Sequence, residues 1–549
     1  MKIINNRQKY SDKYEEQLFS IISEIEDYSL TSEELKKHIV DWVSTYHLSL
    51  ERCNLLEPIS FFPGMKILDL GGGTGLLTEY MAEKGAHVTL LEGELNRAKV
   101  AEVRCRRFKN VEIIVGGVED VDFFEKFDLI LIVGVLEYIG QNNSKSWLSR
   151  VRKMLKSNGI LALAIENKLG VKYFLGYPED HTGLYFDGLV NYSSKDTPRT
   201  YHKKELTNLL NDSGLEVKKW FYPFPDYKLP TTILSDSIFL SDKLKDASQL
   251  IKKCFSETGN KSLFNFDEYA ILNNLESAGL IQDLANSFFV LAGPGNIEDF
   301  IQNDCLAYIL DSNYRRSIFR KAKKLYETPE LIWNVEKQFP KSSAVEGKMI
   351  TQRNGNYPYV NGKILGHILK SNYQNNLDFS LELISGWLKS VYNSSSSSEV
   401  KSEFELLLPC NCNVSYSFDY HANNFIYSEE RLICIDTEWV LKIGICVEFI
   451  ILNALYETFI DYDFFASYEN IWELVIGEFK RVFDKSTHLS LTDFAHYRKV
   501  LLSDIIEGYT IEQSKILNKE FIQNPTSKNI PFNYKNINFL DSYIKNMLV

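Results

Sequence analysis

The 549-residue sequence has no excess of basic residues and no cysteine framework. Its 61 Lys and Arg residues are outnumbered by 73 Asp and Glu residues, giving a net charge of -12. An acidic chain has no general attraction for a polyanion, so we expect no nucleic-acid partner. Among the eight cysteines, Cys410 and Cys412 form one close pair. A single C-x-C without a second pair is weak evidence for zinc.

Long apolar runs are also missing from the sequence. The first 17 residues contain no apolar core, so we expect no secretory leader. The most apolar late stretch, 444–460, is interrupted by Glu448 and is too short to cross a bilayer, so it predicts a buried helix. We therefore predict a cytoplasmic protein without a transmembrane segment, a prediction compatible with peripheral recruitment to the inner face of the membrane.

The pattern of apolar residues divides the chain into regions. Helical spacing over 10–58 predicts an N-terminal helical cap at 1–60. Between 64 and 165, five apolar, β-branched runs alternate with helical ones. This alternation predicts an α/β domain with a Rossmann-like, doubly wound parallel sheet.

A sixth strand-like run, 287–295, comes much later in the sequence. We expect it to close the sheet after a helical insertion at about 236–286. The α/β domain is therefore predicted at 61–295. Residues 296–549 form a separate region with apolar runs of its own.

A glycine-rich turn follows the first strand-like run, which ends near Asp69. The turn has the pattern G-x-G-x-G, with Gly71, Gly73 and Gly75 at the glycine positions, and a helix follows it. Glycines let the backbone approach a ligand, and a helix N terminus favours an anionic group. The dinucleotide pattern G-x-G-x-x-G is absent in both frames. Glu92 ends the next run, where a carboxylate suits two ribose hydroxyls.

This order of features resembles the cofactor-binding region of class I methyltransferases and implies S-adenosylmethionine as the cofactor. The resemblance puts a polar side chain near the adenine at Glu119. It puts the segment around Gly134 at the methionine end of the cofactor. The cofactor-binding residues that it implies are Asp69, Gly71, Gly73, Gly75, Glu92, Glu119 and Gly134.

Three segments on the two sides of the turn, 42–58, 164–183 and 221–230, resemble methyltransferase modules of bacterial surface-polysaccharide biosynthesis proteins, a similarity that covers roughly residues 40–295. The loop 166–181 follows a strand end, where such sheets bind ligands. A sugar hydroxyl acceptor would need a general base, and His181 is the catalytic candidate, whereas a phosphate acceptor would need none. A polar lid without a chemical role is the alternative. The loop residues that we expect to face the acceptor are Glu166, Asn167, Glu179, Asp180 and His181.

The second half contains D-x-x-x-x-N from Asp419 to Asn424, and Asp436 follows a further strand-like run. Phosphoryl transfer needs a carboxylate near the acceptor hydroxyl and oxygen ligands for magnesium. Asp419 is therefore the candidate catalytic residue, and Asn424 and Asp436 are candidate Mg²⁺ ligands. The pattern resembles the aminoglycoside phosphotransferase and choline kinase superfamily. That resemblance implies a bilobal, protein-kinase-like α+β domain at 296–549 that binds ATP with Mg²⁺.

The same resemblance implies a phosphate-binding lysine on a strand of the small lobe. Lys337 is the candidate, with Glu346 as its nearest acidic partner. Ser417 occupies the position where the superfamily usually has histidine, and no glycine-rich loop is recognisable between 300 and 335. An inactive kinase-like domain is therefore the alternative. The rival lysines on the neighbouring run are Lys321, Lys323 and Lys324.

The two halves together resemble bifunctional methyltransferase–kinase proteins that end bacterial O-antigen chains. This architecture implies a glycan or lipid-linked glycan acceptor, which is phosphorylated and then methylated on the phosphate or the sugar. Polysaccharide-assembly proteins are the implied partners. One alternative is a sugar O-methyltransferase whose kinase-like half only binds the acceptor. Another is a scaffold that senses S-adenosylmethionine or ATP.

Overall fold

A computed structural model gives the fold of most of the chain. The described residues are 1–6, 14–123, 125–194, 198–251, 267–301, 305–310, 319–339, 344–346, 350–353, 355–372, 376–394, 414–415, 417, 419–436, 438–441, 445–461, 471–490, 492–496 and 498.

The bounds of the strands and helices follow the chain order. The strands are β1 (Lys2–Ile3), β2 (Lys66–Leu70), β3 (His87–Glu92), β4 (Val111–Val115), β5 (Phe127–Val133), β6 (Leu155–Glu166), β7 (Val217–Phe224), β8 (Thr232–Ser235), β9 (Ser287–Ala292), β10 (Cys305–Leu310), β11 (Arg320–Glu327), β12 (Ile332–Phe339), β13 (Ala344–Glu346), β14 (Ile350–Arg353), β15 (Asn356–Pro358), β16 (Lys363–Ile364), β17 (Val414–Ser415), β18 (Phe425–Ser428), β19 (Arg431–Cys434), β20 (Trp439–Leu441) and β21 (Ile445–Cys446). The α-helices are α1 (Glu15–Glu24), α2 (Glu33–Lys36), α3 (Trp42–Leu48), α4 (Leu76–Glu83), α5 (Leu95–Cys105), α6 (Ser144–Met154), α7 (Val171–Phe174), α8 (Lys203–Asp212), α9 (Glu268–Ser277), α10 (Ile281–Leu284), α11 (Leu365–Asn372), α12 (Leu377–Asn393), α13 (Val447–Asp461) and α14 (Ile471–Phe483).

The predicted Rossmann-like sheet is present, with the order β4-β3-β2-β5-β6-β9-β7 in its central part. Strands β4, β3, β2, β5 and β6 are parallel. Strand β9 lies antiparallel between β6 and β7, so the run at 287–295 does return to the sheet as predicted. The helical insertion includes α9 and α10 within its described residues.

Both faces of this sheet are buried. Successive residues of each strand point to opposite sides of the sheet and therefore enter two different cores. Leu68 and Ile130 are paired neighbours in one core. Ile67 and Leu129 are paired neighbours in the core on the other face. The strands are apolar at nearly every position because the residues on both faces of the sheet are buried.

The N-terminal helices pack against helix α5 of the α/β region. Leu18 and Ile22 of α1 share a core with Leu48 of α3 and Val100 of α5. Arg104 of α5 is fully buried and donates from Nη2 to the His47 carbonyl at 2.9 Å. The first residues differ from the predicted helical cap: they form the short strand β1, which pairs with β4 at the edge of the sheet.

The sheet continues beyond residue 295, where we expected the domain to end. Strand β10 pairs with β8, and β11, β12 and β15 extend the sheet to 13 strands in total. Leu306 of β10 joins one core of the sheet, and Tyr308 joins the other. The first core thus includes part of the second region.

The rest of the second region has a separate core of mixed helices and short strands. Trp387 of α12 and Phe449 of α13 are both fully buried in it. The apolar stretch around Glu448 forms the buried helix α13, as predicted. Among the described residues, no helix combines the length and the apolar content that crossing a membrane requires.

Candidate active site

The glycine-rich turn joins β2 to α4 and has a backbone that other residues adopt poorly. Gly71, Gly73 and Gly75 have φ values of 73°, 59° and 81°. A Cβ at Gly71 would lie 2.5 Å from Cγ2 of Val135, which belongs to the turn after β5. A Cβ at Gly75 would lie 2.9 Å from Cβ of Ala101 on α5. Glycine is therefore needed in this turn for two reasons: the backbone is left-handed, and neighbouring residues lie too close for a side chain.

Glu92 lies directly against this turn at the carboxyl end of β3. Its Oε2 accepts a hydrogen bond from the Gly73 backbone N–H at 2.9 Å, and its Oε1 accepts one from Glu94 N–H at 2.9 Å. Its side chain is buried. Each carboxylate oxygen has a second lone pair, which leaves capacity for a ligand hydroxyl. The ribose contact stays a prediction.

Asp69 connects the strand to the helix behind the turn. Its Oδ2 accepts a hydrogen bond from the Thr78 hydroxyl at 2.5 Å, and burial raises the pKa of this carboxyl to about 6. Arg104 supports the same turn, because its Nε–H donates to the Thr74 carbonyl at 3.0 Å. These bonds fix the position of the glycine turn.

Asp69→Asn should change how stability depends on pH. The folded-state pKa of about 6 exceeds the ordinary 3.8, so the folded state holds the proton more tightly. The protonated carboxyl group therefore stabilises the fold below pH 4. This contribution, about 3 kcal/mol in total, is lost as the pH rises through 6. We expect the Tm difference between Asp69→Asn and wild type to grow in favour of the variant between pH 4 and 7. Asp122→Asn, at a highly exposed position, is the control. A Tm difference for Asp69→Asn that stays constant between pH 4 and 7 would contradict the assignment.

The other two implied cofactor positions lie on neighbouring turns. Glu119 is exposed on a 3-10 turn after β4, and the adjacent Asp120 holds that turn by accepting from Gly117 N–H at 2.8 Å. Gly134 follows β5 with a φ of 68°, and a Cβ there would lie 2.8 Å from the Tyr227 hydroxyl. Both cofactor contacts stay predictions, and Gly134 adjoins a buried polar cluster.

That cluster consists of Glu137, Glu166 and His181, and we call it the acidic triad. Glu137 lies on the turn after β5, Glu166 ends β6, and His181 lies on the loop after α7. One potential ligand atom from each residue lies within 4.8 Å of the other two. His181 Nε2 is 3.5 Å from Glu166 Oε2. Because Val135 touches the glycine turn, the triad lies beside the predicted cofactor site.

Lys228 and Tyr227 complete the surroundings of Glu166. The Lys228 ammonium lies 2.5 Å from Glu166 Oε1, and the Tyr227 hydroxyl donates to the same oxygen at 3.2 Å. Burial alone would raise the pKa of Glu166, but Lys228 and His181 hold that pKa well below its usual value. Burial, with Glu166 nearby, raises the pKa of Glu137 to about 8. The two carboxyl groups therefore differ strongly in proton affinity.

His181, the candidate general base, has a perturbed imidazole in this cluster. Burial would lower the pKa of its imidazole, but Glu166 raises it to about 9. At neutral pH the imidazole therefore keeps its proton as long as nothing else binds Glu166. The general-base role of His181 and its position relative to the acceptor stay predictions.

The comparisons with known proteins agree with this geometry. Residues 67–159 match a family model described as a methyltransferase domain. The chain therefore contains a class I S-adenosylmethionine-dependent methyltransferase domain. We use the name methyltransferase domain for the part from β2 to β9.

Its relatives include enzymes of ubiquinone biosynthesis. The ubiquinone biosynthesis O-methyltransferase of Pelagibacter ubique (strain HTCC1062) is 32% identical over 156 residues, covering 28% of this chain and 63% of that protein. The mitochondrial counterpart of Rattus norvegicus is 29% identical over 171 residues, covering 30% of this chain and 46% of that one. The chain thus spans between 46% and 63% of these relatives' length.

Solved structures show a similar partial match. The Burkholderia thailandensis 1,6-didemethyltoxoflavin-N1-methyltransferase, solved with 1,6-didemethyltoxoflavin and S-adenosylhomocysteine, is 19% identical to this chain. The match covers 31% of this chain and 68% of that one, with a TM-score of 0.24.

Arg52 is a buried residue with an electrostatic influence on Asp69 that sequence analysis did not single out. It lies just before the methyltransferase domain, is 9% exposed, and its guanidinium carbon lies 3.8 Å from the Tyr46 ring centroid. Among the described residues, its buried Nη1 has no hydrogen-bond partner. It is also close enough to Asp69 to favour the charged carboxylate. A buried guanidinium N–H group with no partner suits an anionic ligand group.

In the second half, one β-hairpin brings the three predicted kinase residues together. Strands β18 and β19 pair so that Phe425 is opposite Cys434, and Ile435 N–H donates to the Asn424 carbonyl at 2.8 Å. The Asn424 Nδ2 donates to the Asp419 carbonyl at 2.9 Å. Asp419, Asn424 and Asp436 therefore lie at the same end of the hairpin. Their roles in catalysis and metal binding stay predictions.

Two of the rival lysines face Asp436. Lys323 Nζ lies 3.5 Å from Asp436 Oδ2. Lys321 is 4% exposed, and its Nζ lies 2.6 Å from Glu438 Oε2 and 2.9 Å from Glu336 Oε1. Both come from β11, where alternate residues share a face.

The third rival lysine points to the opposite side of β11. Lys324 Nζ lies 3.4 Å from Glu57 Oε2 in the N-terminal part of the chain. The side chains of Lys337 and Glu346 lie outside the described residues, so their predicted pairing is untested. The alternation of β11 thus leaves Lys321 and Lys323 as the described candidates near Asp436.

Proposed function

We propose that this protein is an S-adenosylmethionine-dependent methyltransferase whose cofactor binds across the carboxyl ends of β2 and β3. The observation that carries this proposal is the glycine turn held against the buried Glu92 carboxylate. The adenosine ribose would contact Glu92, and the cofactor's carboxylate would contact the Nη1 of Arg52. The match of residues 67–159 to a methyltransferase domain supports the same reading.

Glu92→Ala tests this cofactor site. The variant should weaken S-adenosylmethionine binding by about 1–3 kcal/mol, because a charged hydrogen-bond acceptor is lost. Glu92→Gln keeps one acceptor oxygen and should lose less. Isothermal titration calorimetry gives the affinities, with Glu112→Gln, an exposed position on β4, as the control. Equal affinity of Glu92→Ala and wild type would refute the proposed binding mode.

The acceptor side of the site is polar and charged. The acidic triad and Lys228 lie at the carboxyl ends of β5 and β6, where ligands bind in such sheets. We propose an oxygen acceptor on a glycan or lipid-linked glycan. The specific support for a glycan is the sequence resemblance of 164–183 to polysaccharide-biosynthesis modules. A cytoplasmic location and polysaccharide-assembly partners stay predictions.

A second activity, phosphoryl transfer from ATP, is favoured by the hairpin in the second half. Asp419, Asn424 and Asp436 meet at one end of β18 and β19, with Lys323 close to Asp436. A carboxylate, two oxygen ligands for Mg²⁺ and a cation for phosphate are the groups this reaction needs. In this proposal the kinase half phosphorylates the glycan, and the methyltransferase domain methylates the product.

Binding of ATP with Mg²⁺ should stabilise the full-length chain. At a hundred times Kd, a ligand that binds the folded state contributes about 2.7 kcal/mol. A thermal shift with ATP and Mg²⁺ measures this gain. The Asp436→Asn variant should lose it, whereas S-adenosylmethionine should still stabilise that variant. If ATP and Mg²⁺ do not raise the Tm of the wild-type chain, the proposed kinase activity is rejected in favour of an inactive kinase-like domain.

A further inference from the structure

The acidic triad of Glu137, Glu166 and His181 contains three buried polar atoms that form no hydrogen bond. Two of them, Glu166 Oε2 and His181 Nε2, form an ion pair at 3.5 Å. We propose that the triad binds a divalent transition-metal cation, of the Mn²⁺ or Zn²⁺ class, beside the methyl donor. The inference rests on the proposed methyltransferase function and identifies the group that would hold the acceptor oxygen. Its evidence is the geometry of three buried atoms and the charge around them.

The first observation is that each residue of the triad has a buried polar atom without a hydrogen-bond partner. Among the described residues these atoms include Glu137 Oε2, Glu166 Oε2 and His181 Nε2. Glu137 is 2% exposed and Glu166 is fully buried. Buried polar atoms without partners are costly and need an explanation. All three belong to residues whose potential ligand atoms converge within 4.8 Å.

The second observation is that carboxyl groups outnumber ammonium groups in the connected cluster. Lys228 Nζ lies 2.5 Å from Glu166, 3.7 Å from Asp180 and 3.8 Å from Asp226. Lys172 Nζ lies 2.6 Å from Asp180. With Glu137 these groups are four carboxyl groups and two ammonium groups. If all four carboxyl groups are ionised and the imidazole is neutral, as in a metal-bound state, one divalent cation balances the charge. The carboxylates are those of Glu137, Glu166, Asp180 and Asp226, and the ammonium groups are those of Lys172 and Lys228.

The positions of the lysines are compatible with a cation. Lys228 and Tyr227 both contact Oε1 of Glu166, which leaves Oε2 directed at His181. The lysine thus neutralises and orients one oxygen of the carboxylate, while the other stays available. Such an outer contact to a ligating carboxylate is a common feature of protein metal sites.

The donor set indicates the class of cation. One imidazole nitrogen and two carboxylate oxygens suit Mn²⁺ or Zn²⁺ better than Mg²⁺ or Ca²⁺, which prefer oxygen alone. Three protein ligands leave at least one coordination position open. The open position would face the carboxyl ends of the strands, where the acceptor enters.

A cation at this position would act on the acceptor oxygen. On coordination, an acceptor hydroxyl would lose its proton to solvent, and a phosphate oxygen would bind already ionised. The oxygen lone pair then forms the bond to the methyl carbon. The carbon–sulfur bond breaks with its electron pair on sulfur, which leaves S-adenosylhomocysteine and the methylated acceptor.

The test is Mn²⁺ binding to the full-length chain, followed by electron paramagnetic resonance and by calorimetry. The parent carries Asp436→Asn and contains no ATP, so that the proposed kinase metal site does not contribute. We expect one Mn²⁺ per chain. Glu137→Gln and His181→Asn should each weaken binding by at least about tenfold. Glu125→Gln, whose side chain is 76% exposed, should bind as the parent does.

S-Adenosylmethionine affinity, measured on the same samples, separates this inference from the proposed function. Unchanged cofactor binding by Glu137→Gln would show that the variant is folded. If the parent binds the cofactor but takes up neither Mn²⁺ nor Zn²⁺ stoichiometrically, the metal site is wrong and the methyltransferase proposal survives. Equal Mn²⁺ binding by the parent and both triad variants would also overturn the site. Failure of the parent to bind the cofactor would count against the proposed function instead.

Discussion

Asp436→Ala should abolish phosphoryl transfer and, on a plain glycan, methyl transfer as well. The substitution removes a proposed ligand of the Mg²⁺ that neutralises the transferring phosphoryl group. If the phosphate is the methyl acceptor, methyl incorporation into unphosphorylated glycan falls to background. A chemically phosphorylated acceptor should restore it, because Asp436 lies on the hairpin of the second half. Labelled ATP and labelled S-adenosylmethionine measure the two transfers separately.

The sugar-hydroxyl alternative predicts the opposite result for the same variant. In that case Asp436→Ala keeps full methyl transfer to plain glycan, and the kinase-like half only binds the acceptor. Asp484→Ala, at a surface position after α14, is the control for a lost carboxylate in the same half. Robust methylation of plain glycan by Asp436→Ala would exclude phosphorylation as the first step.

Gly75→Ala should cost more than any single hydrogen bond in the cofactor site. Its φ of 81° is strained for alanine, and its Cβ would lie 3.0 Å from the Ala101 backbone on α5. The conformational part is about 1–2 kcal/mol, and shifting a packed helix adds about 1–3 kcal/mol. The turn would move with the helix, so we also expect S-adenosylmethionine affinity to fall by about 10-fold or more, equivalent to 1.4 kcal/mol.

Gly64 provides a matched control for this prediction. Its φ is also 81°, but a Cβ there has no atom within 4 Å. Gly64→Ala should therefore show the conformational cost alone, with unchanged cofactor affinity. Denaturant unfolding and calorimetry of both variants separate the two contributions. Equal losses of stability in both would mean that the close approach to α5 is unimportant.

Features contained in one contiguous stretch of sequence were predictable. The glycine turn needs left-handed backbone, and glycine is the residue that supplies it. Glu92 was recognisable as a candidate ligand-binding residue because it ends a strand, and the strand end places its side chain at the carboxyl edge of the sheet. The same reasoning gave the buried helix α13 in the stretch 444–460 and the strand character of β9. Each of these depends on local periodicity or a turn, which the sequence encodes directly.

Features that join distant segments were not predictable in the same way. Glu137 lies in an apolar turn whose sequence is typical of the hydrophobic core. Its surroundings include His181 and Lys228, which come from later parts of the chain. Arg52 lies in a helical stretch where a basic residue normally faces solvent. In the structure, alternation along β11 places Lys323 near Asp436 and Lys324 near Glu57, whereas the sequence named all three lysines of this run only as rivals.

The continuity of the sheet across residue 295 has a practical consequence for dividing the protein. A fragment that stops at 295 would lose β10 and expose the hydrogen-bonding edge of β8. Exposed strand edges recruit other strands and promote self-association. Such a fragment would be prone to aggregate even with its cofactor site intact. A cut placed after β15, the last strand of this sheet, would keep all 13 strands of the sheet paired as they are in the whole chain, although β14 of a neighbouring sheet would lose its partner β20.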